Sequence, residues 1–116
     1  MQIPFSELPS HARVWIYQSD RVFTQEELTK IEAASQGFLT QWTAHGSELK
    51  AGVDFRYDRF IVLGLNESIQ SASGCSIDAS VRFIQSIEEE FSLILMDKMN
   101  VTYRNKDHIQ YIPLKD

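Results

Sequence analysis

The chain carries a strict alternation, Leu49, Ala51, Val53, Phe55 and Tyr57 against Lys50, Gly52, Asp54, Arg56 and Asp58. An unbroken apolar run, Phe60 to Leu65, follows almost at once. A period of two places the first set on one face of a half-buried strand. The continuous run has no polar face, so it predicts an interior strand covered on both sides. A tight turn near Asp58 joins the two as a hairpin. A chain that must hide an interior strand needs layers on its sheet. With 43% hydrophobic residues in 116, it has the apolar surface to build them as one domain, residues 1–116.

The remaining elements follow from local signals. Met1 to Ser10 holds two of the three prolines and is expected to be an extended lead-in. Ala12 to Tyr17 is β-branched and aromatic, hence a strand with Val14 and Ile16 on one side and Trp15 and Tyr17 on the other. Thr24 and Glu27 form a capping box, with Phe23 and Leu28 placed as a hydrophobic staple. Leu28, Ile31, Ser35, Phe38, Leu39 and Trp42 continue at helical spacing, and Gly46 is expected as the residue that ends this helix. A polar loop, Asn66 to Gly74, precedes a second helix from about Ile77 to Phe91, with the stripe Ile77, Val81, Ile84, Ile87 and Phe91. Leu93 to Met99 fits strand or helical turn equally. Val101 to Arg104 and His108 to Ile112 predict a last hairpin.

The order β-α-β-β-α-β-β predicts an α+β fold, a ferredoxin-like βαββαβ sandwich with an antiparallel sheet plus a C-terminal strand. Helices would cover one sheet face. The other, carrying Trp15 or Tyr17, is expected to be exposed and to serve a protein partner or a homodimer.

Composition excludes several functions. A formal charge of −5 with scattered basic residues opposes nucleic-acid binding. One cysteine rules out an internal disulfide and fits a reducing cytoplasm. The start, Met1 to Phe5, lacks the pattern of a secretory signal, and Phe60 to Leu65 is far too short to span a bilayer, so no membrane insertion is expected.

Chemistry concentrates in Ser73-Gly74-Cys75-Ser76-Ile77-Asp78, at the start of the second helix. With Ser76 as N-cap, unpaired backbone N–H groups, Ser73, Gly74 and Ser76 can orient a small anion. Asp78 in the first turn would satisfy the helix dipole without a ligand. Cys75 is either a nucleophile with His45 as its base or a small packed side chain beside a cap. Asp78 opposes the thiolate of the first reading. Trp42 and His45, three apart, share a helix face and form one wall of a pocket, or else Trp42 completes the core stripe and His45 sits at the helix C-terminus. Asp54, Arg56 and Asp58 share a strand face, where two carboxylates at that spacing can hold a metal or act as an acid–base pair, but Arg56 between them more naturally neutralises them. His11 and His108 have no ligand spacing, and neither a metal site nor a cofactor is expected.

The segments Val14-Trp15-Ile16-Tyr17, Phe38-Leu39 with Trp42-Thr43-Ala44-His45-Gly46, Arg59-Phe60-Ile61-Val62, Ala72 to Asp78 with Ser80-Val81-Arg82-Phe83-Ile84, and Asp97-Lys98-Met99 resemble a family of short bacterial proteins. The family carries no assigned chemistry and often bears the label "ABC transporter ATPase". Its members run past the position of Lys115-Asp116. The label fails a physical test. A phosphate loop needs Gly-x-x-x-x-Gly-Lys-Ser/Thr, yet no glycine among Gly37, Gly46, Gly52, Gly64 and Gly74 precedes a lysine, and no two are five apart. The expectation is a small cytoplasmic binding or interaction domain with an anionic-ligand site. The alternatives are a thiol-dependent enzyme using Cys75 and His45, and a homo-oligomeric structural unit.

Overall fold

The computed structural model describes residues 1–68, 70–95 and the backbone of 101–103. Over these residues it is an α+β fold with two helices and antiparallel sheets. The elements are β1 (Arg13–Gln18), α1 (Gln25–Gln41), β2 (Thr43–Ala44), β3 (Ser47–Glu48), β4 (Lys50–Arg56), β5 (Phe60–Asn66), α2 (Gly74–Phe91) and β6 (Val101–Tyr103). The main sheet has the order β4-β5-β1-β6, with every neighbouring pair antiparallel. β5 is central, with Leu63 paired to both Trp15 and Val53. Its apolar run is therefore buried on both faces, and Ile61 to Leu65 are all buried. Arg104 and the expected strand His108 to Ile112 lie outside the described residues, as do Met96 to Met99.

Both helices pack on one face of the sheet. Ile31 and Leu39 of α1 and Ile84 and Ile87 of α2 meet Trp15, Tyr17, Ile61, Leu63 and Leu65. Trp15 and Tyr17 therefore point into the core, at 9% and 3% exposure, and no exposed sheet face carries them. The opposite face holds a second, smaller cluster, Val14, Ile16 and Val62, with Phe5 and Phe60 against it. That face is covered too, so the homodimer surface expected from the sequence does not exist in that form. A strand apolar on both sides does not say which side the helices choose.

Residues 1–8 lie across this second face. Ile3 donates to the Ala51 carbonyl at 2.8 Å, and Ala51 donates to Met1 O at 3.1 Å. Phe5 begins a 3-10 turn, Phe5–Glu7. Gly52 and Gly64 stand directly opposite one another in the register and open the space for this segment. A Cβ on Gly52 would lie 2.7 Å from Ile3 O and 2.9 Å from Phe5 Cα, and one on Gly64 would lie 2.5 Å from Leu8 Cδ1.

The start of α1 follows its signals. The Thr24 side chain accepts from Glu27 N–H at 3.1 Å, and Glu27 Oε1 accepts from Thr24 N–H at 2.9 Å. Its C-terminus differs from expectation. The helix stops at Gln41, and β2 and β3 form a small hairpin over His45 and Gly46, whose φ values of 52° and 79° suit a two-residue turn of the primed type. His45 is therefore on a hairpin turn and shares no helix face with Trp42. The alternation from Leu49 forms β4 only as far as Arg56, and Asp58 belongs to the turn. Arg56 Nε donates to Asp54 Oδ2 at 2.9 Å, the neutralisation expected for that pair.

Helix α2 begins three residues before its expected start. Ser73, not Ser76, is the N-cap. Ser73 Oγ accepts from Ser76 N–H at 3.1 Å, and Ser76 Oγ accepts from Ser73 N–H at 2.7 Å, a capping box with serine in the place of glutamate. The buried stripe of α2 is Ser76, Ser80, Ile84 and Ile87, while Ile77 is half-buried. Ser80 packs toward Tyr17, and burial pushes the Tyr17 hydroxyl up to about 12, partly offset by its hydrogen bond with Ser80.

Candidate functional site

The earlier start of α2 and the hairpin after α1 bring the two chemistry-bearing segments to the same end of the helical layer. Trp42 is the C-cap of α1 and is 3% exposed. Its indole N–H donates to the main-chain carbonyl of Ser76 at 2.8 Å, tying the end of α1 to the first turn of α2. The ring meets Trp15 edge-on at 6.1 Å between centroids and Phe38 at 5.3 Å, and Phe38 stacks on Phe83 at 4.6 Å. This ladder of rings fixes one wall.

Between the two segments lies a cavity of about 410 Å³, lined by Phe38, Gln41, Trp42, Thr43, His45, Ser73, Cys75, Ser76 and Ala79. Its deeper lining is aromatic and small, from Trp42, Phe38 and Ala79. Its rim is polar and exposed, from Gln41, Thr43, His45 and Cys75. Five of the seven residues singled out in the sequence, Trp42, His45, Ser73, Cys75 and Ser76, line this one space. Gly74 and Asp78 do not.

The first turn of α2 holds no acidic residue. Counting from the Ser73 cap, Asp78 falls at the fifth helical position and is exposed, so it does not supply the charge that the sequence reading gave it. The Ser76 N–H is used by the cap, and Ile77 N–H donates to Ser73 O. Among the described residues, the N–H groups of Gly74 and Cys75 have no acceptor, as the first turn of a helix requires. A Cβ on Gly74 would meet nothing within 4 Å, so the space above this turn is open.

Cys75 is exposed, at the second helical position. His45 lines the same cavity, but among the described residues neither side chain makes a hydrogen bond. The described residues contain no group of three His, Cys, Asp or Glu side chains placed to hold a metal. No described helix is long and apolar enough to cross a membrane.

Sequence reasoning missed Phe38, Gln41, Thr43 and Ala79 as lining residues. Ala79 was within reach of it: four residues after Cys75 and three after Ser76, it shares their helix face. Phe38 was assigned to the core stripe, which is half of its role. Comparison with family models, with curated proteins and with solved structures finds no match to this chain. The reading of the cavity therefore rests on its own residues.

Proposed function

We propose that this chain is a small cytoplasmic binding domain. Its cavity takes a small amphipathic anion, the charged end at the start of α2 and the apolar end against Phe38 and Trp42. The observation that carries this reading is the meeting of two features: a helix start whose Cys75 lines the cavity, with the Cys75 and adjacent Gly74 N–H groups unpaired among the described residues and no carboxylate in the first turn, and an aromatic wall. Ser73 and Ser76 are committed to the capping box, so they orient the N–H groups and leave the backbone to bind. We further read the fold as the ferredoxin-like split βαβ arrangement, which the antiparallel order β4-β5-β1-β6 supports. The family of short bacterial proteins named above remains our proposed relationship.

The test uses benzoate as probe and benzyl alcohol as its uncharged counterpart. Benzoate is expected to shift the amide resonances of Gly74 and Cys75 and to change Trp42 fluorescence saturably, whereas benzyl alcohol acts weakly. Gly74→Pro removes one N–H at a position where proline suits a helix start. It should weaken benzoate binding about tenfold, the scale of one charge-assisted hydrogen bond, with the helix intact. Unchanged binding in that variant sinks the anion site.

One observation favours a second reading. The exposed Cys75 and His45 share a cavity, the arrangement a thiol-dependent enzyme needs before closure on substrate. His45→Ala is then expected to slow alkylation of Cys75 in the folded protein. An equal rate in both proteins removes this reading and leaves the binding domain.

A further inference from the structure

We infer that residues 1–8 are a displaceable strap, and that the trough beneath it is a surface for the same segment of a second copy of this chain. Among the described residues, the strap seats its side chains on the sheet face away from the helices, and its first nitrogen reaches beyond that face, donating to the Leu49 carbonyl at 2.8 Å and to the Leu39 carbonyl at the end of α1 at 3.4 Å. None of its side chains belongs to the larger core, which closes from α1, α2 and the sheet without it. Met1, Gln2, Pro4, Ser6 and Glu7 are exposed, and its seating depends on Phe5 and Leu8 beside the glycine pair. An element with so few buried side chains opens at a lower free energy than the core strands.

The surface it uncovers is specific. Gly52 and Gly64 make a channel in which the backbone of an extended segment comes within contact distance of the sheet. Ala51, on the edge strand β4, offers its N–H and C=O to that segment, as the parallel bridge between Gln2 and Ala51 shows. Apolar Val14, Ile16 and Val62 line the floor. An open edge with an apolar floor pairs with another extended chain. The structure itself shows which sequence fits: the chain's own residues 1–8. A second copy carries the identical segment, so reciprocal exchange gives a closed, two-fold pair that repeats the contacts already present within one molecule.

The experiment uses the full chain with Phe5→Ala, which loosens the strap without adding bulk, and a fluorescein-labelled peptide of residues 1–9. The peptide is expected to bind this variant saturably. Adding Gly52→Ala should weaken binding at least about tenfold, because the new methyl meets strap backbone, which cannot swing aside. Binding that is absent, or equal with and without Gly52→Ala, overturns the trough. Failure of Phe5→Ala to fold overturns the strap, since the segment would then be part of the core. In the unaltered protein, amide exchange at Ile3 and Ala51 should be at least about tenfold faster than at Leu63 and Leu65, and equal protection overturns the strap. Sedimentation of the unaltered chain should show a dimer fraction that grows with concentration and is lost in Gly52→Ala. A strict monomer at the highest soluble concentration overturns the exchange.

Discussion

Trp42 joins three things: the end of α1, the aromatic wall of the cavity and the first turn of α2. Its burial makes Trp42→Ala a large-to-small core change, expected to cost about 3–5 kcal/mol by urea denaturation. Trp42→Phe keeps most of the ring and removes the indole donor, leaving the Ser76 carbonyl its place in the helix ladder, at about 0.5–1.5 kcal/mol. A near-neutral Trp42→Ala would mean that the ring is pocket lining alone. The core position of Trp42 was legible from helical spacing, but the path of the chain after it was not. Gly46 signals a positive φ, and that signal serves a helix end and a hairpin turn equally. Ser76 was hard for a similar reason. Ser71, Ser73 and Ser76 can each cap a helix, and the usual Glu or Gln three residues on is missing from all of them. The register was settled instead by the reciprocal bonds between Ser73 and Ser76, which bury the Ser76 side chain.

Among elements, α1 reads most directly from sequence, because its capping box and stripe agree on one start. Its exposed side still carries Gly37, where a Cβ would meet nothing within 4 Å. Gly37→Ala is expected to stabilise the protein by about 1 kcal/mol, the helix-propensity difference, with a matching rise in the urea midpoint. The same change at Gly46, held at a φ of 79°, is expected to destabilise by about 1 kcal/mol or more. A Gly37→Ala variant no more stable than the parent would overturn the propensity argument at this position. The strands were legible as strands but not as faces. Val14 and Ile16 are as apolar as Trp15 and Tyr17, so the pattern does not say which side the helices choose, and the face expected to be exposed, that of Trp15 and Tyr17, is the one they cover. Gly52 read as the polar half of an alternation, yet its lack of a side chain is what seats residues 1–8.

For the molecule as a whole, Arg21 ties the start of α1 to the end of α2, at the end of the helical layer away from the cavity. Its guanidinium donates to both carboxylate oxygens of Glu27 at 2.9 and 2.8 Å, and to the Phe91 carbonyl at the end of α2 at 2.9 Å. The hydrogen bond from Arg21, with those from Thr24, holds the Glu27 carboxyl down at about 2, against an ordinary value of 4.5. A depressed carboxyl contributes stability that is present above its unfolded value and is lost as pH falls through the folded one. Stability should therefore decline between about pH 4.5 and 2, by an amount trimmed by screening, since the Arg21 side chain is 41% exposed. Glu27→Gln should flatten that decline, and urea midpoints across this range test it. At the alkaline end the sign reverses. The raised Tyr17 hydroxyl contributes stability that is complete below pH 10 and lost as pH rises toward about 12.

The strand register also sets an order of assembly. β4 and β5 close over a three-residue turn, Tyr57 to Arg59, so their ladder forms from neighbours in the chain. β1 meets β5 only after the whole of α1 and the β2–β3 hairpin have been gathered between them, as the pairing of Ile16 with Val62 requires. The entropy of closing that loop falls on one event, the docking of β1, which also delivers Trp15 and Tyr17 to the helices. The rate of folding is thus written in the distance between two strands that end as neighbours, and the segment across the far face, adding only to a sheet already made, has little part in setting it.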